Sequence, residues 1–311
     1  MKKMGPFFKL VRWPNLLMTA LMMCLVFHRV VMMQSTVSFT LLVMSMVFIV
    51  AGGYVINDIF DVETDAINKP KKLIVGKVFS ERQCGVFYWT LTIIGLCFGL
   101  VSAIMALGPK FYMVFACLLL LSCVLYSYSK TYKKKLVIGN VIVSLSVAFA
   151  VFLPWLFVML YMSENPLLLR ENENLMTMSL RVVLVYTAFA FLTTLIREIV
   201  KDVEDMDGDG RTHCRTIPLV WGMKTSTVII AVMIFLLAGL MVRFAVFLND
   251  FSESDVATFL IRMTYAFAFF DLIRVINARK INNSKIAYRQ ISNDLKFIML
   301  VGVLSMFFIS I

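Results

Sequence analysis

Four stretches of this sequence run for 19 to 28 residues without one charged side chain: Val30–Asn57, Gln83–Pro109, Phe111–Ser129 and Leu136–Ser163. A helix needs about 20 mostly apolar residues, at about 1.5 Å of rise each, to cross the hydrocarbon core of a bilayer. Shorter runs cover Trp13–His28, Val182–Ile196 and Thr225–Val242. Val256–Ile276 is interrupted by Arg262, Asp271 and Arg274, and Phe297–Ile311 closes the chain. The runs are too long for strands and do not alternate. The reading is an all-α polytopic membrane protein of about nine transmembrane helices. Composition agrees, because 60% of the 311 residues are apolar and 16% are charged. That balance excludes a disordered chain, a soluble nucleic-acid binder and a disulfide-stapled secreted module.

The basic residues set the expected orientation. With the N-terminus in the cytoplasm, the tail (Lys2, Lys3, Lys9, Arg12) and the loops after spans 2, 4, 6 and 8 carry 24 of the 30 lysines and arginines. Arg29, Lys110, Arg170, Arg181, Arg243 and Arg262 fall on the other side. This is the positive-inside pattern of a cell membrane protein. It accounts for the net charge of +11 by an anionic lipid leaflet, with no nucleic acid partner. The basic start and apolar run resemble a signal peptide but lack a small-x-small cleavage site, so they read as a retained first helix. Six cysteines without C-x-x-C spacing read as small packing residues.

The acids carry the chemistry. Asn57-Asp58-Ile59-Phe60-Asp61-Val62-Glu63-Thr64-Asp65 follows span 2, and Lys201-Asp202-Val203-Glu204-Asp205-Met206-Asp207-Gly208-Asp209 follows span 6. Asp58, Asp61 and Asp65 repeat the spacing of Asp202, Asp205 and Asp209. On a helix, offsets 3 and 7 share a face, so each set is a row of carboxylates continuing a span. Such a row repels itself unless a cation sits in it. Carboxylates without thiol or imidazole neighbours suit a hard ion such as Mg²⁺, which is usually held by a few carboxylates plus substrate phosphates. Two rows facing each other could hold a diphosphate between metal ions. Solvated acids at a helix end are the bland explanation of either row alone; the repetition after two even-numbered spans counts against it.

These residues resemble the two aspartate-rich motifs of the UbiA-type intramembrane prenyltransferases: Asn57-Asp58-x2-Asp61-x3-Asp65 the first, and Arg197-Glu198-Ile199-Val200-Lys201-Asp202-Val203-Glu204-Asp205-x3-Asp209 the second. The wording of the second is similar to the geranylgeranylglycerol-phosphate geranylgeranyltransferase branch. The resemblance implies one membrane domain over residues 1–311, with nine helices around a central cavity that opens sideways to lipid. It implies that Asp58, Asp61, Asp65, Asp202, Asp205 and Asp209 hold Mg²⁺ and the diphosphate of an isoprenoid donor and are catalytic. Tyr126-x3-Lys130 is similar to the family's Tyr-x3-Lys element, with Lys133 to Lys135 and Gly139-Asn140 following. Asn57, Lys72, Tyr126, Lys130, Arg197 and Lys201 are thereby expected to contact substrate.

The stretch after the first motif departs from many relatives. Lys72 stands where they carry Arg, and two prolines are missing; a lysine cannot make the bidentate fork of Arg to phosphate. The expected reaction is transfer of a polyprenyl group, from geranylgeranyl diphosphate, to a lipophilic acceptor such as the hydroxyl of geranylgeranylglyceryl phosphate. An aromatic acceptor of the quinone, tocopherol or chlorophyll type is the alternative. A divalent-cation transporter is a third, although it calls for acids at mid-span rather than at span ends. No obligate protein partner is evident. Asp271 and Arg274, three apart in span 8, are expected to pair, and His213 beside Cys214 reads as ordinary loop.

Overall fold

The computed structural model describes residues 4–33, 36–68, 70–71, 73–212, 214–251, 255–278 and 284–309. Among them the secondary structure is helical apart from one isolated bridge between Val75 and Phe79. In chain order the α-helices are α1 (Met4–Leu10), α2 (Trp13–Leu25), α3 (Val37–Phe60), α4 (Val62–Asn68), α5 (Glu81–Leu107), α6 (Phe111–Lys130), α7 (Ile138–Ser163) and α8 (Pro166–Glu171). They continue with α9 (Glu173–Glu204), α10 (Met206–Arg211), α11 (Ile217–Val220), α12 (Gly222–Phe251), α13 (Asp255–Ala278) and α14 (Ser284–Phe307).

Eight stretches among the described residues are long and apolar enough to cross a membrane; one of them, Glu81–Lys130, is 50 residues long and contains both α5 and α6. The chain is an integral, multi-pass membrane protein. Its surface fits, since Phe235 and Leu120 are 68% and 64% exposed, which hydrocarbon tolerates and water does not. An open groove of about 640 Å³ lined by Arg82, Trp89 and Ile93 lies along α5.

Several helices outrun the charge-free stretches. Helix α3 continues through Asp58 to Phe60, α9 runs for 32 residues through Arg197 and Asp202, and α14 begins at Ser284, well before Phe297. A charged side chain ends an apolar run but leaves the backbone i→i−4 ladder intact. Inside these helices the charges find partners. Arg274 pairs with Asp271 at 3.3 Å, as the three-residue spacing predicts, and also with Asp294 of α14.

The chain forms two compact units. One comprises Met1–Cys24, Gln34–Lys133 and Leu156–Glu171; the other comprises Leu25–Met33, Lys134–Trp155 and Asn172–Ile311. In the first, Thr36 caps α3 by accepting from the Phe39 amide at 3.1 Å, and Ser80 with Gln83 forms a capping box on α5. Helices α3 and α5 pack most extensively. Between helices in lipid there is little hydrophobic drive, so close backbone approach and hydrogen bonds must do that work. Gly95 supplies the approach: a Cβ there would lie 3.0 Å from both the Ile49 nitrogen and the Ser45 oxygen. Ser102 adds a hydrogen bond to the Ser38 carbonyl at 2.6 Å. At the end of α3, a buried cluster of Leu10, Val55, Ile56, Val75, Phe79 and Tyr88 joins α1, the 73–80 segment and α5, and seats the turn that carries Asn57 and Asp58.

In the second unit α9 packs on α12 and α14 and against a π-helical turn, Val26–Val30. Its buried stripe Ile196, Ile199, Val200 and Val203 follows helical spacing and fixes the rotation of the turn that bears Asp202. Side-chain hydrogen bonds complete the packing: Tyr186 to Ser305 at 2.7 Å, Thr227 to Tyr288 at 2.8 Å, and Trp155 to Ser179 at 3.1 Å.

Candidate active site

Both aspartate rows are built on the same local device. Helix α3 ends at Phe60, Asp61 sits at the joint with φ −95° and ψ 0°, and α4 follows. Helix α9 ends at Glu204, Asp205 sits at the joint with φ −97° and ψ 7°, and α10 follows. The hydrogen-bond ladder passes through each joint. Asp61 donates its amide to Asn57 O at 3.0 Å and Asp65 to Asp61 O at 2.8 Å; Asp205 donates to Lys201 O at 2.8 Å and Asp209 to Asp205 O at 3.1 Å. Helical hydrogen bonding thus continues across the offsets 0, 3 and 7 of each row. Asp61 is buried and the other five row aspartates are half-buried; of the off-register acids, Glu63 and Asp207 are exposed and Glu204 is half-buried.

In the first unit the row is held by cations from distant positions. Asp58 pairs with Arg12, whose Nη2 lies 2.8 Å from Oδ1. The Arg12 guanidinium also sits 4.8 Å from the Tyr54 ring centroid, and Asn15 donates to the Tyr54 hydroxyl at 3.1 Å. Asp61 accepts from Asn57 Nδ2 at 2.7 Å and from Lys133. Burial by itself would lower the Lys133 ammonium, but the charge of Asp61, helped by Tyr128 and Asp65, holds it above its ordinary value of 10.5. Lys130 lies over the Tyr126 ring at 5.9 Å, and Tyr126 packs edge-on to Phe60. Of the residues expected to contact substrate, Lys72 lies outside the described residues; His213, read as ordinary loop, also lies outside them.

In the second unit Asn140 donates to Asp202 Oδ2 at 2.8 Å, and Glu198 gathers two cations on Oε1, Lys201 at 2.6 Å and Arg197 at 3.4 Å. The Arg197 Nε is buried without a hydrogen-bond partner.

A magnesium ion fits the chemistry of these donors. They are hard oxygens, and Asn57 adds an amide Oδ1 that is buried and unpartnered beside Asp58 and Asp61. Among the described residues no three His, Cys, Asp or Glu side chains converge into a cage. Mg²⁺ does not require one, since it keeps waters and shares its shell with substrate phosphates.

The contacts of two residues, Arg12 with Asp58 and Lys133 with Asp61, are not encoded in the sequence pattern. Arg12 is one of several basic residues in the tail, and nothing in its spacing ties it to Asp58, 46 residues on. Lys133 is hidden in a lysine run that topology alone explains. All six cysteines are free thiols, as the spacing indicates.

The model of the UbiA prenyltransferase family matches residues 15–293. A digeranylgeranylglyceryl phosphate synthase of Saccharolobus solfataricus is 34% identical over 189 residues, which span 61% of this chain and 58% of that protein. A solved digeranylgeranylglyceryl phosphate synthase has a similar fold, with a TM-score of 0.68 and 23% identity over 99% of this chain and 98% of that one. A UbiA homolog from Archaeoglobus fulgidus, solved bound to GPP and Mg²⁺, gives a TM-score of 0.58 and 14% identity over 97% of this chain and 99% of that one.

Proposed function

We propose that this chain, which belongs to the UbiA prenyltransferase family, transfers a geranylgeranyl group from geranylgeranyl diphosphate to the free hydroxyl of geranylgeranylglyceryl phosphate, with residues 1–311 acting as one catalytic domain. The observation that carries the reading is the repetition of one carboxylate row, Asp58/Asp61/Asp65 and Asp202/Asp205/Asp209, on one kind of helix joint. The acceptor follows the name of the Saccharolobus relative. The use of magnesium is supported by the oxygen-only donor set and by the ion bound in the Archaeoglobus homolog.

In this reading the six row aspartates and the Asn57 amide oxygen hold Mg²⁺. The ion, when bound, neutralises charge on the diphosphate and makes it a better leaving group. Lys130, Lys133, Arg197 and Lys201 add donors for the diphosphate oxygens, with Lys72 completing the set, and Glu198 keeps Arg197 and Lys201 in place. Tyr126 presents a ring face that favours positive charge on the allylic carbons. The allylic C–O bond breaks, its electron pair leaves with the diphosphate, and the acceptor hydroxyl oxygen bonds to the cationic carbon. The hydroxyl proton passes to a row carboxylate or to the released diphosphate. Apolar surroundings keep water from capturing the cation. Both carboxylate rows and the N-terminus face the cytoplasm, the side that carries the basic loops.

The test is transfer from labelled geranylgeranyl diphosphate by the purified chain in lipid, across a panel of acceptors: geranylgeranylglyceryl phosphate, 4-hydroxybenzoate, homogentisate and a dihydroxynaphthoate. Magnesium-dependent transfer to the first supports the reading. Transfer to an aromatic ring replaces the acceptor while keeping the class.

A further inference from the structure

Arg12 is placed with a specificity that a tail residue does not need. It lies between α1 and α2 with φ +53°, a left-handed conformation that side chains other than glycine and asparagine avoid. The backbone holds it there: its amide donates to Lys9 O at 3.1 Å and its carbonyl accepts from the Asn15 amide at 2.9 Å. The guanidinium is delivered onto Asp58 at 2.8 Å and over Tyr54, which Asn15 secures by a hydrogen bond to its hydroxyl. The Asp58 side chain is 19% exposed, so an unneutralised carboxylate there would be costly. The Arg12 side chain is 38% exposed, so a second anion can reach its five-donor fork.

We propose that Arg12 is the resident counter-ion of the first carboxylate row: it neutralises Asp58 while no divalent ion is bound, and shifts its planar fork to the diphosphate when magnesium arrives with the substrate. Arg12 is thereby a competitor of the free ion and a ligand of the diphosphate, so bare magnesium is held weakly and magnesium with diphosphate is held well. The inference rests on the magnesium–diphosphate reading above. A guanidinium suits the exchange because carboxylate and phosphate both match its bidentate geometry, and because it keeps its charge throughout.

A purely structural tether and a counter-ion differ in sign. Calorimetry on the full chain in lipid nanodiscs, with MgCl₂ alone and then with inorganic diphosphate in excess Mg²⁺, reads both affinities. The relevant magnesium site is the one that Asp58→Asn abolishes. Arg12→Gln is expected to tighten magnesium alone by about tenfold, since a cation next to the site is removed, and to weaken diphosphate by about tenfold. Arg12→Lys restores the charge, so magnesium affinity returns toward that of the unaltered chain while diphosphate recovers only in part. If Arg12→Gln does not accumulate, Tyr54→Leu loosens the guanidinium without removing its charge and is expected to give the same crossed pattern at smaller amplitude. Parallel weakening of both ligands in the Gln and Lys variants, or a magnesium affinity indifferent to Arg12→Gln, overturns the inference and leaves the proposed function standing. Absence of any magnesium uptake by the unaltered chain, with or without diphosphate, overturns both.

Discussion

Asn140 donates from Nδ2 to Oδ2 of Asp202 at 2.8 Å, joining the first turn of α7 to the last turn of α9 across 62 residues. The amide occupies one carboxylate oxygen and fixes the plane of the group, leaving the other oxygen for a ligand. Groups that orient a metal-binding side chain typically matter by 10- to 100-fold in affinity or activity. Asn140→Ala is expected to lower prenyl transfer by about that factor while raising the magnesium concentration for half-maximal rate. Asn140→Asp, which sets a second carboxylate against Asp202, is expected to be worse. Magnesium titrations of the rate on the two variants decide it; an unchanged half-saturation would assign the bond to packing alone.

The two joint aspartates should be equivalent in consequence. Asp61→Asn and Asp205→Asn are each expected to cut transfer by about a hundredfold or more, the scale on which charge-stabilising groups act. Size-exclusion profiles in detergent should match the unaltered chain. Full activity in both variants would remove the magnesium–diphosphate reading.

The pair of Lys133 with Asp61 also predicts a pH profile. Its folded value lies above the ordinary 10.5. A raised folded value gives stability that is complete below the unfolded value and lost only as pH climbs through the folded one. The difference in melting temperature between the unaltered chain and Lys133→Met should therefore stay constant from about pH 7 to about pH 9. Thermal unfolding at a series of pH values measures it, and a difference that shrinks within that range would show the pair to be loose.

Close approach of α3 and α5 gives a stability prediction independent of function. Ile49 and Ser45 present backbone atoms 3.0 Å from where a Gly95 side chain would start, and backbone cannot swing aside. Gly95→Val is expected to cost about 1–3 kcal/mol, read as a lowered melting temperature in detergent. A change at Gly85, where a Cβ would meet nothing within 4 Å, should be nearly silent.

Much of this was legible in the residues. The membrane-spanning stretches follow from apolar runs, because a bilayer fixes the length a helix must have. The carboxylate rows follow from the 0, 3, 7 spacing, because a helix maps that spacing onto one face. Helix ends were less legible: α9 and α14 run on through Asp202 and Asp294, since pairing with Asn140 and Arg274 lets a helix carry polar groups that break an apolar run. Least legible were the contacts of Arg12 and Lys133. Each depends on how distant segments pack, and no periodicity within either segment encodes that.

The most direct test of the central claim is the rate of transfer from labelled geranylgeranyl diphosphate to geranylgeranylglyceryl phosphate by the purified chain in lipid, with Mg²⁺ and with EDTA. The expected result is product with magnesium and none with the chelator. Undiminished transfer in EDTA, or no transfer to any acceptor of the panel under conditions where the chain remains folded, would contradict it.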